Sequence, residues 1–461
     1  MTADAVDPFH IAARMERLPV TRWHHKVRLI VGSGYFSDAF DALTIAYVLP
    51  VLIPLWHLGE AEIGLIISIG YVGQAIGGVL AGWLADRHGR VPVMTGNVVL
   101  FGLLSLACVF APNYATLFVL RLLQGIGLGG QVPIANTYGS ELAPSHGRGR
   151  FVLLQQLMFP IGLTSVALVG AFVVPRYGWQ WMFAIGGLPV LLALPMLRVL
   201  PESPRWLASR GRFAEADKVL ARIETIVAAH TGKPLPPIPT GVAPAVARRG
   251  RFRDLFAGVY RRRTLSLWVL WFCTYAITYA MTGWLPSIMR KVYHQTVAQS
   301  NLYGFAVNIT GLAVLLLAAF TIDRIGRRRA YTFGYLLGAV PLFVAAFLPD
   351  IGALGLAVCA TLAFGAMGMI PGSLGMYTAE NYPNHMRAIG HGATSISQRV
   401  SSVIGPSMVG LILPRYGVGG VFAMFATFAV IGGVTSALFS LETAGKTLEE
   451  LSAEHPAAAK S

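Results

Sequence analysis

Twelve apolar runs dominate this chain, each at or above the roughly 20 residues an α-helix needs to cross a bilayer. They fall at about 28–56, 62–85, 91–112, 114–141, 150–174, 179–199, 264–290, 299–322, 328–348, 352–380, 388–413 and 419–440. With 461 residues, 55% hydrophobic and only 12% charged, the chain holds more apolar surface than one water-soluble core buries. The runs predict an all-α membrane protein with twelve transmembrane helices.

The formal net charge of +15 is distributed in a way that decides its meaning. Arg and Lys gather before the first span (Arg14, Arg17, Arg22, Lys26, Arg28), after the second (Arg87, Arg90), after the fourth (Arg148, Arg150), through 205–263, and after the eighth (Arg324, Arg327, Arg328, Arg329). The alternate loops carry few. This asymmetry predicts a multi-pass inner-membrane protein with both termini cytoplasmic. Topology and anionic lipid account for the basicity, and no nucleic-acid partner is expected.

Other chemistries leave little trace. Cys108, Cys273 and Cys359 fall within predicted spans without paired or metal-ligand spacing, and read as small core residues. The first 25 residues are polar and the first apolar run is long enough to stay as a span, so no cleaved leader is expected. No phosphate-cradling loop with Lys, nucleophile elbow or metal motif is present. The chain reads as a non-enzyme without cofactor or metal, driven by an ion gradient.

An internal repeat organises the spans. "YGSELAPSHGR" from Tyr138 and "YTAENYPNHMR" from Tyr377 share Y-x-x-E-x-x-P-x-x-x-R at an offset of 239, "PRYG" recurs at the same offset, and "DRHGR" from Asp86 returns as "DRIGR" from Asp323. Six helices are thus repeated in parallel, a plan that puts a transporter's site between its halves near the bilayer midplane. The expected division is an N-terminal tail at 1–27, a six-helix half at 28–199, a linker with short helices at 200–262, a second half at 263–441, and a C-terminal tail at 442–461.

Several of these stretches resemble one family over about residues 28–451. "GWLADRHGR" at 82–90 and "RLLQGIGLGG" at 121–130 are similar to the loop and fourth-helix motifs of the major facilitator superfamily. "PESPRWL" at 201–207 and "LETAGKTLEEL" at 441–451 resemble its sugar-porter-like branch. The resemblance implies that the charges present in both halves at helix ends form a cytoplasmic gate: Asp86 with Arg90, Asp323 with Arg327, Glu141 with Arg148, and Glu380 with Arg387. Solvated helix ends are the competing reading for any one of them. It also implies a monomer.

Charges that break the repeat carry more information. Asp38, Asp41, Arg121 and Arg399 lie inside spans, and their repeat positions hold Thr274, Ile277, Ala360 and Pro160. A charge at a helix centre costs about 2.5–3.5 kcal/mol on insertion scales and is retained for a role. Asp41 and Arg399 lie roughly 16–20 Å into their spans, near the middle of a 30 Å core. Burial, a second carboxylate and a guanidinium act on proton affinity in opposing directions, which suits a cluster that holds a proton in one state and releases it in another. In the resembled proton-coupled transporters an Asp of helix 1 pairs with the Arg of the fourth-helix motif. This assigns Asp41 as proton carrier and Arg121 as its partner, with Asp38 either a second proton site or a packing residue.

Arg399 bears on the substrate, because its permanently charged fork fits a carboxylate; a structural pair with Asp38 or Asp41 is the alternative. Sugar porters use amide side chains of the seventh helix, and "LWVLWFCTYAITYAMTGWLP" has none. It holds instead an aromatic stripe that includes Trp271, Tyr275 and Tyr279, a pattern that also serves packing or lipid contact. A flat aromatic acid suits such a site better than a sugar. "DAFD" at 38–41 is similar to the D-G-F-D signature of the aromatic acid:proton symporters, which makes nicotinate and simple benzoates the candidates. Gln155, Gln156 and Gln398 are the neutral hydrogen-bonding candidates. The expectation is a proton-coupled importer of a small aromatic monocarboxylate; a sugar:proton symporter, an organic cation transporter and a non-transporting sensor are the alternatives.

Overall fold

A computed structural model describes residues 8–143, 148–232, 234–238, 251–348 and 351–443. Among them, eleven helices are long and apolar enough to cross a membrane: Arg22–Trp56, Glu60–His88, Arg90–Cys108, Tyr114–Leu142, Leu154–Tyr177, Gln180–Val199, Gly258–Lys291, Val297–Ala318, Arg327–Phe347, Gly352–Glu380 and Ile389–Phe439. They are called here the first to eleventh spans. The last is 51 residues long, about twice what a bilayer requires. It bends at Gly417, whose φ of 64° is non-helical, so the chain makes twelve crossings. Gly417 closes the second "PRYG"; the first closes on Gly178, at φ 92°, between the fifth and sixth spans. A left-handed glycine after a proline-bearing last turn ends the helix in both copies.

The chain folds into two compact units. One takes the chain up to Thr44, Val72–Leu163 and Gln180–Val246. The other takes Ile45–Tyr71, Thr164–Trp179 and the chain from Ala247 onward.

In the first unit the described parts of the tail and of the linker pack on each other. The tail helix Pro8–Glu16 places Ile11 and Met15 in one apolar cluster with Leu220, Ile223 and Val227 of the linker helix Phe213–Thr231. Arg14 and Arg17 hold Glu224 at 2.6 and 2.7 Å, Arg14 also meets Asp217, and Glu16 accepts from Arg205 at 2.6 Å. The linker is fastened in turn to the last turn of the second span, where Asp86 O accepts from Trp206 Nε1 at 3.0 Å and from Arg210.

The second unit ties the hairpin of its Ile45–Tyr71 piece to later spans. Lys291 donates to Glu60 at 2.5 Å, Ser68 shares a hydrogen bond with Ser407 at 2.8 Å, and Asn308 donates to the Tyr47 hydroxyl at 2.8 Å. Trp284 Nε1 donates to Pro406 O at 2.9 Å, an oxygen whose helical partner Gly410 packs on Glu60 O.

Candidate functional site

Asp41 lies in the interior of the first unit with no exposed surface. Its Oδ1 accepts from Ser105 Oγ of the third span at 3.0 Å, and the same hydroxyl lies 2.9 Å from Phe183 O of the sixth. Gly186, one turn along the sixth span, makes the room: a Cβ there would sit 2.6 Å from Asp41 Oδ1 and 2.9 Å from Ser105 Oγ. Asp41 Oδ2 accepts no hydrogen bond among the described residues. Asp38, one turn earlier on the first span, is buried as well.

Arg121 enters from the fourth span and is 2% exposed. Its hydrogen bonds go to Asp41 O and Ala42 O, each at 3.2 Å, and to Gln124 Oε1 at 2.8 Å. Its Nη1 lies 4.0 Å from Asp41 Oδ2. The guanidinium is therefore fixed by groups that never titrate, and its link to the carboxylate is one of charge. None of these three hydrogen bonds involves the Asp41 carboxylate.

The second unit holds the other asymmetric charge. Trp271, Tyr275 and Tyr279 stand four residues apart on the seventh span and stack in sequence, with centroids 5.3 and 5.6 Å apart and planes within 26°. The ladder continues onto neighbouring helices. Tyr71 of the second span lies 4.7 Å from Tyr279, and His391 meets Trp271 edge-on at 5.9 Å. Trp271 Nε1 donates to Thr378 Oγ1 at 3.0 Å, which fixes the ring. Arg399, half-buried, is near enough for its charge to act on the Tyr275 hydroxyl. Gln398 beside it is half-buried too. Tyr71 and His391 escape a reading of the stripe, since helical spacing reports one helix at a time.

Gln155 and Gln156 are engaged elsewhere: their amides donate to Ala135 O at 3.0 Å and to Asn136 Oδ1 at 2.8 Å, joining the fourth and fifth spans.

Helix-end charges pair in their own pattern. Arg90 contacts Asp86 at 2.7 Å and Glu141 at 3.4 Å, and Arg327 contacts Glu380 at 3.0 Å. Arg387 donates to Ala379 O at 3.0 Å. The side chains of Arg148 and Asp323 lie outside the described residues. Each motif gains a partner that spacing does not reveal. Glu202 accepts from Arg90 N at 2.9 Å and Val91 N at 3.2 Å, and in the repeat Glu442 accepts from Arg327 N at 2.9 Å. The residue before each glutamate accepts from the repeated tyrosine: Tyr138 on Pro201 O at 2.7 Å, Tyr377 on Leu441 O at 2.9 Å. "PES" and "LET" are thus one device built twice, a carboxylate capping the orphan N–H groups at a helix start.

A family model described as sugar (and other) transporter matches residues 46–455. The niacin transporter NiaP of Acinetobacter baylyi is 36% identical over 448 residues, 96% of this chain and 99% of that protein. The 4-hydroxybenzoate transporter PcaK of Pseudomonas putida is 33% identical over 377 residues, 81% of this chain and 82% of that one. Among solved structures, the E. coli xylose transporter XylE in a partially occluded inward-open conformation matches with a TM-score of 0.74 at 21% identity, over 93% of this chain and 100% of XylE.

Proposed function

The chain belongs to the sugar (and other) transporter family of the major facilitator superfamily, and from that premise we propose that it imports a small aromatic monocarboxylate, such as nicotinate or a benzoate, in symport with protons by alternating access. The observation that carries this reading is the ladder of stacked rings in the unit that also holds the half-buried Arg399. A guanidinium keeps its proton and meets a carboxylate with two parallel hydrogen bonds. A flat ring gains about 0.5–1.5 kcal/mol from a well-placed aromatic partner beyond its burial. The seventh span Gly258–Lys291 contains no Asn or Gln to meet the hydroxyls of a sugar. The names of the relatives, a niacin and a 4-hydroxybenzoate transporter, support the same substrate class.

In this reading Asp41 takes the coupling proton on Oδ2, and Arg121 supplies the fixed charge against which protonation registers. Asp38 is a second proton site or a packing residue of the same helix face. Gln398 adds a neutral hydrogen bond beside Arg399, while Gln155 and Gln156 serve by holding the fifth span to the fourth. Asp86, Arg90, Glu141, Arg148, Asp323, Arg327, Glu380 and Arg387 form the gate on the cytoplasmic side. Both termini face the cytoplasm from the inner membrane, and the protein works as a monomer.

The test is uptake of labelled nicotinate, benzoate, a hexose and an organic cation into proteoliposomes, with and without an inside-alkaline pH gradient, for the wild type and Arg399→Ala. An acid that accumulates only with the gradient, and not in Arg399→Ala, supports both substrate class and coupling. Accumulation of the hexose or the cation instead makes Arg399 structural and refutes the substrate class.

A further inference from the structure

The ring ladder of the second unit ends on a residue for which the proposed mechanism has no use. His391 opens the membrane-crossing part of the helix that carries Arg399. It is exposed, whereas Trp271, whose ring it meets at 77°, is buried behind it. The hydroxyls of Thr394 and Ser395 both turn back to the His391 main-chain carbonyl, each at 2.9 Å, and so face the helix instead of the imidazole. An ionisable side chain within a span is a functional candidate by default.

Its place relative to Arg399 is set twice. Along the helix the two are eight residues apart, little more than two turns and about 12 Å, so they stand near one face. Along the ladder Arg399 acts on Tyr275 while His391 meets Trp271, one rung and 5.3 Å away. A single six-membered ring, laid on this part of the ladder with its carboxylate on Arg399, has its opposite edge toward His391.

We infer that His391 reads the polar atom on the far edge of the substrate ring, a pyridine nitrogen or a ring hydroxyl, and thereby sets which aromatic acid is preferred. This rests on the aromatic-acid reading above. A neutral imidazole offers one N–H donor and one acceptor nitrogen, so it meets a pyridine nitrogen with the first and a phenolic hydroxyl with the second. Benzoate presents a bare C–H edge and leaves the imidazole unpaired by substrate. One neutral hydrogen bond of this kind is worth about a three- to tenfold preference.

The experiment measures KM for gradient-driven uptake of nicotinate, 4-hydroxybenzoate and benzoate by the wild type, His391→Phe, His391→Gln and Arg399→Ala in proteoliposomes. His391→Phe keeps a ring against Trp271 and should raise KM for nicotinate and 4-hydroxybenzoate about three- to tenfold while leaving benzoate unchanged. His391→Gln, which retains a donor and an acceptor, should recover part of the loss, and Arg399→Ala should lose all three acids. An equal rise for all three acids in His391→Phe, or none, overturns the role of His391 and leaves the aromatic-acid reading standing. A wild type that moves none of the three overturns both.

Discussion

Gly186→Ala tests the geometry around Asp41 without touching any ionisable group. The added methyl would lie 2.6 Å from Asp41 Oδ1, and ordinary contact begins at 3.4 Å, so the difference, 3.4 − 2.6 = 0.8 Å, must come from movement. Neither neighbour has open space to move into, because Asp41 and Ser105 are both fully buried. A carboxylate displaced by that amount leaves the 3.0 Å hydrogen bond from Ser105. A hydrogen bond to a charged group is worth about 1.5–3 kcal/mol, or roughly 10- to 150-fold in an equilibrium or a rate. Paired assays separate coupling from transport: pH-gradient-driven accumulation in proteoliposomes should fall by about tenfold or more, whereas substrate counterflow, which needs no net proton movement, should persist. Ser105→Ala, which removes the donor and adds no bulk, should shift the two assays in the same direction. A monodisperse, folded Gly186→Ala with wild-type driven accumulation would refute the idea that the Ser105 bond to Asp41 contributes to coupling.

Three further outcomes follow from other parts of the molecule. Gly89→Ala should destabilise the protein by about 1–3 kcal/mol, read as a lower midpoint in thermal unfolding, because φ there is 110° and a Cβ would meet the Glu202 carboxylate at 2.3 Å; an unchanged midpoint refutes the fit. Burial alone would push the Glu224 carboxyl up, but hydrogen bonds from Arg14 and Arg17 outweigh it and hold Glu224 below its usual range. A carboxylate depressed in the folded state stabilises above its unfolded pKa and loses that contribution as pH falls through its folded value. Acidification below the ordinary carboxylate range should therefore lower the amide-exchange protection of Pro8–Glu16 relative to the intrinsic rate at each pH, and Glu224→Gln should show the lowered protection already at neutral pH. Lys291→Gln, by contrast, removes a partly exposed pair and should change stability by no more than about 1 kcal/mol; a larger loss of thermal midpoint would mean that the pair holds the hairpin of the second unit.

The spans are legible in the sequence because a bilayer imposes both length and apolarity, and the repeat supplies the one boundary that a continuous helix hides. "PRYG" marks the break at Gly417 as it marks the one at Gly178. Charge asymmetry singles out Asp41, Arg121 and Arg399, since an ion inside a span is conspicuous. Most of what Arg121 bonds to is not legible, because two of its three acceptors are main-chain carbonyls that every residue carries. Glu202 and Glu442 stand out only as members of motifs. The N–H groups they cap lie 112 and 115 residues away, and only the folded helix starts bring them near. Glu380 and Arg387 recur together seven residues apart, yet Glu380 takes Arg327 from another helix while Arg387 turns to a carbonyl. Ile11 and Met15 sit in a polar tail, and their helix makes sense only with the apolar face of Phe213–Thr231 beside it.

That last pairing has a consequence in time. Arg14 precedes Glu224 by 210 residues. At about 5–20 residues per second, the tail leaves the ribosome roughly 10–40 s before the helix that receives it has been made. All six spans of the first repeat are translated in that interval, so they enter the membrane with their loops unstrapped. The apolar face of Pro8–Glu16 meanwhile needs a temporary host, a lipid headgroup layer or a chaperone, and a nascent chain arrested before residue 213 would expose it to protease.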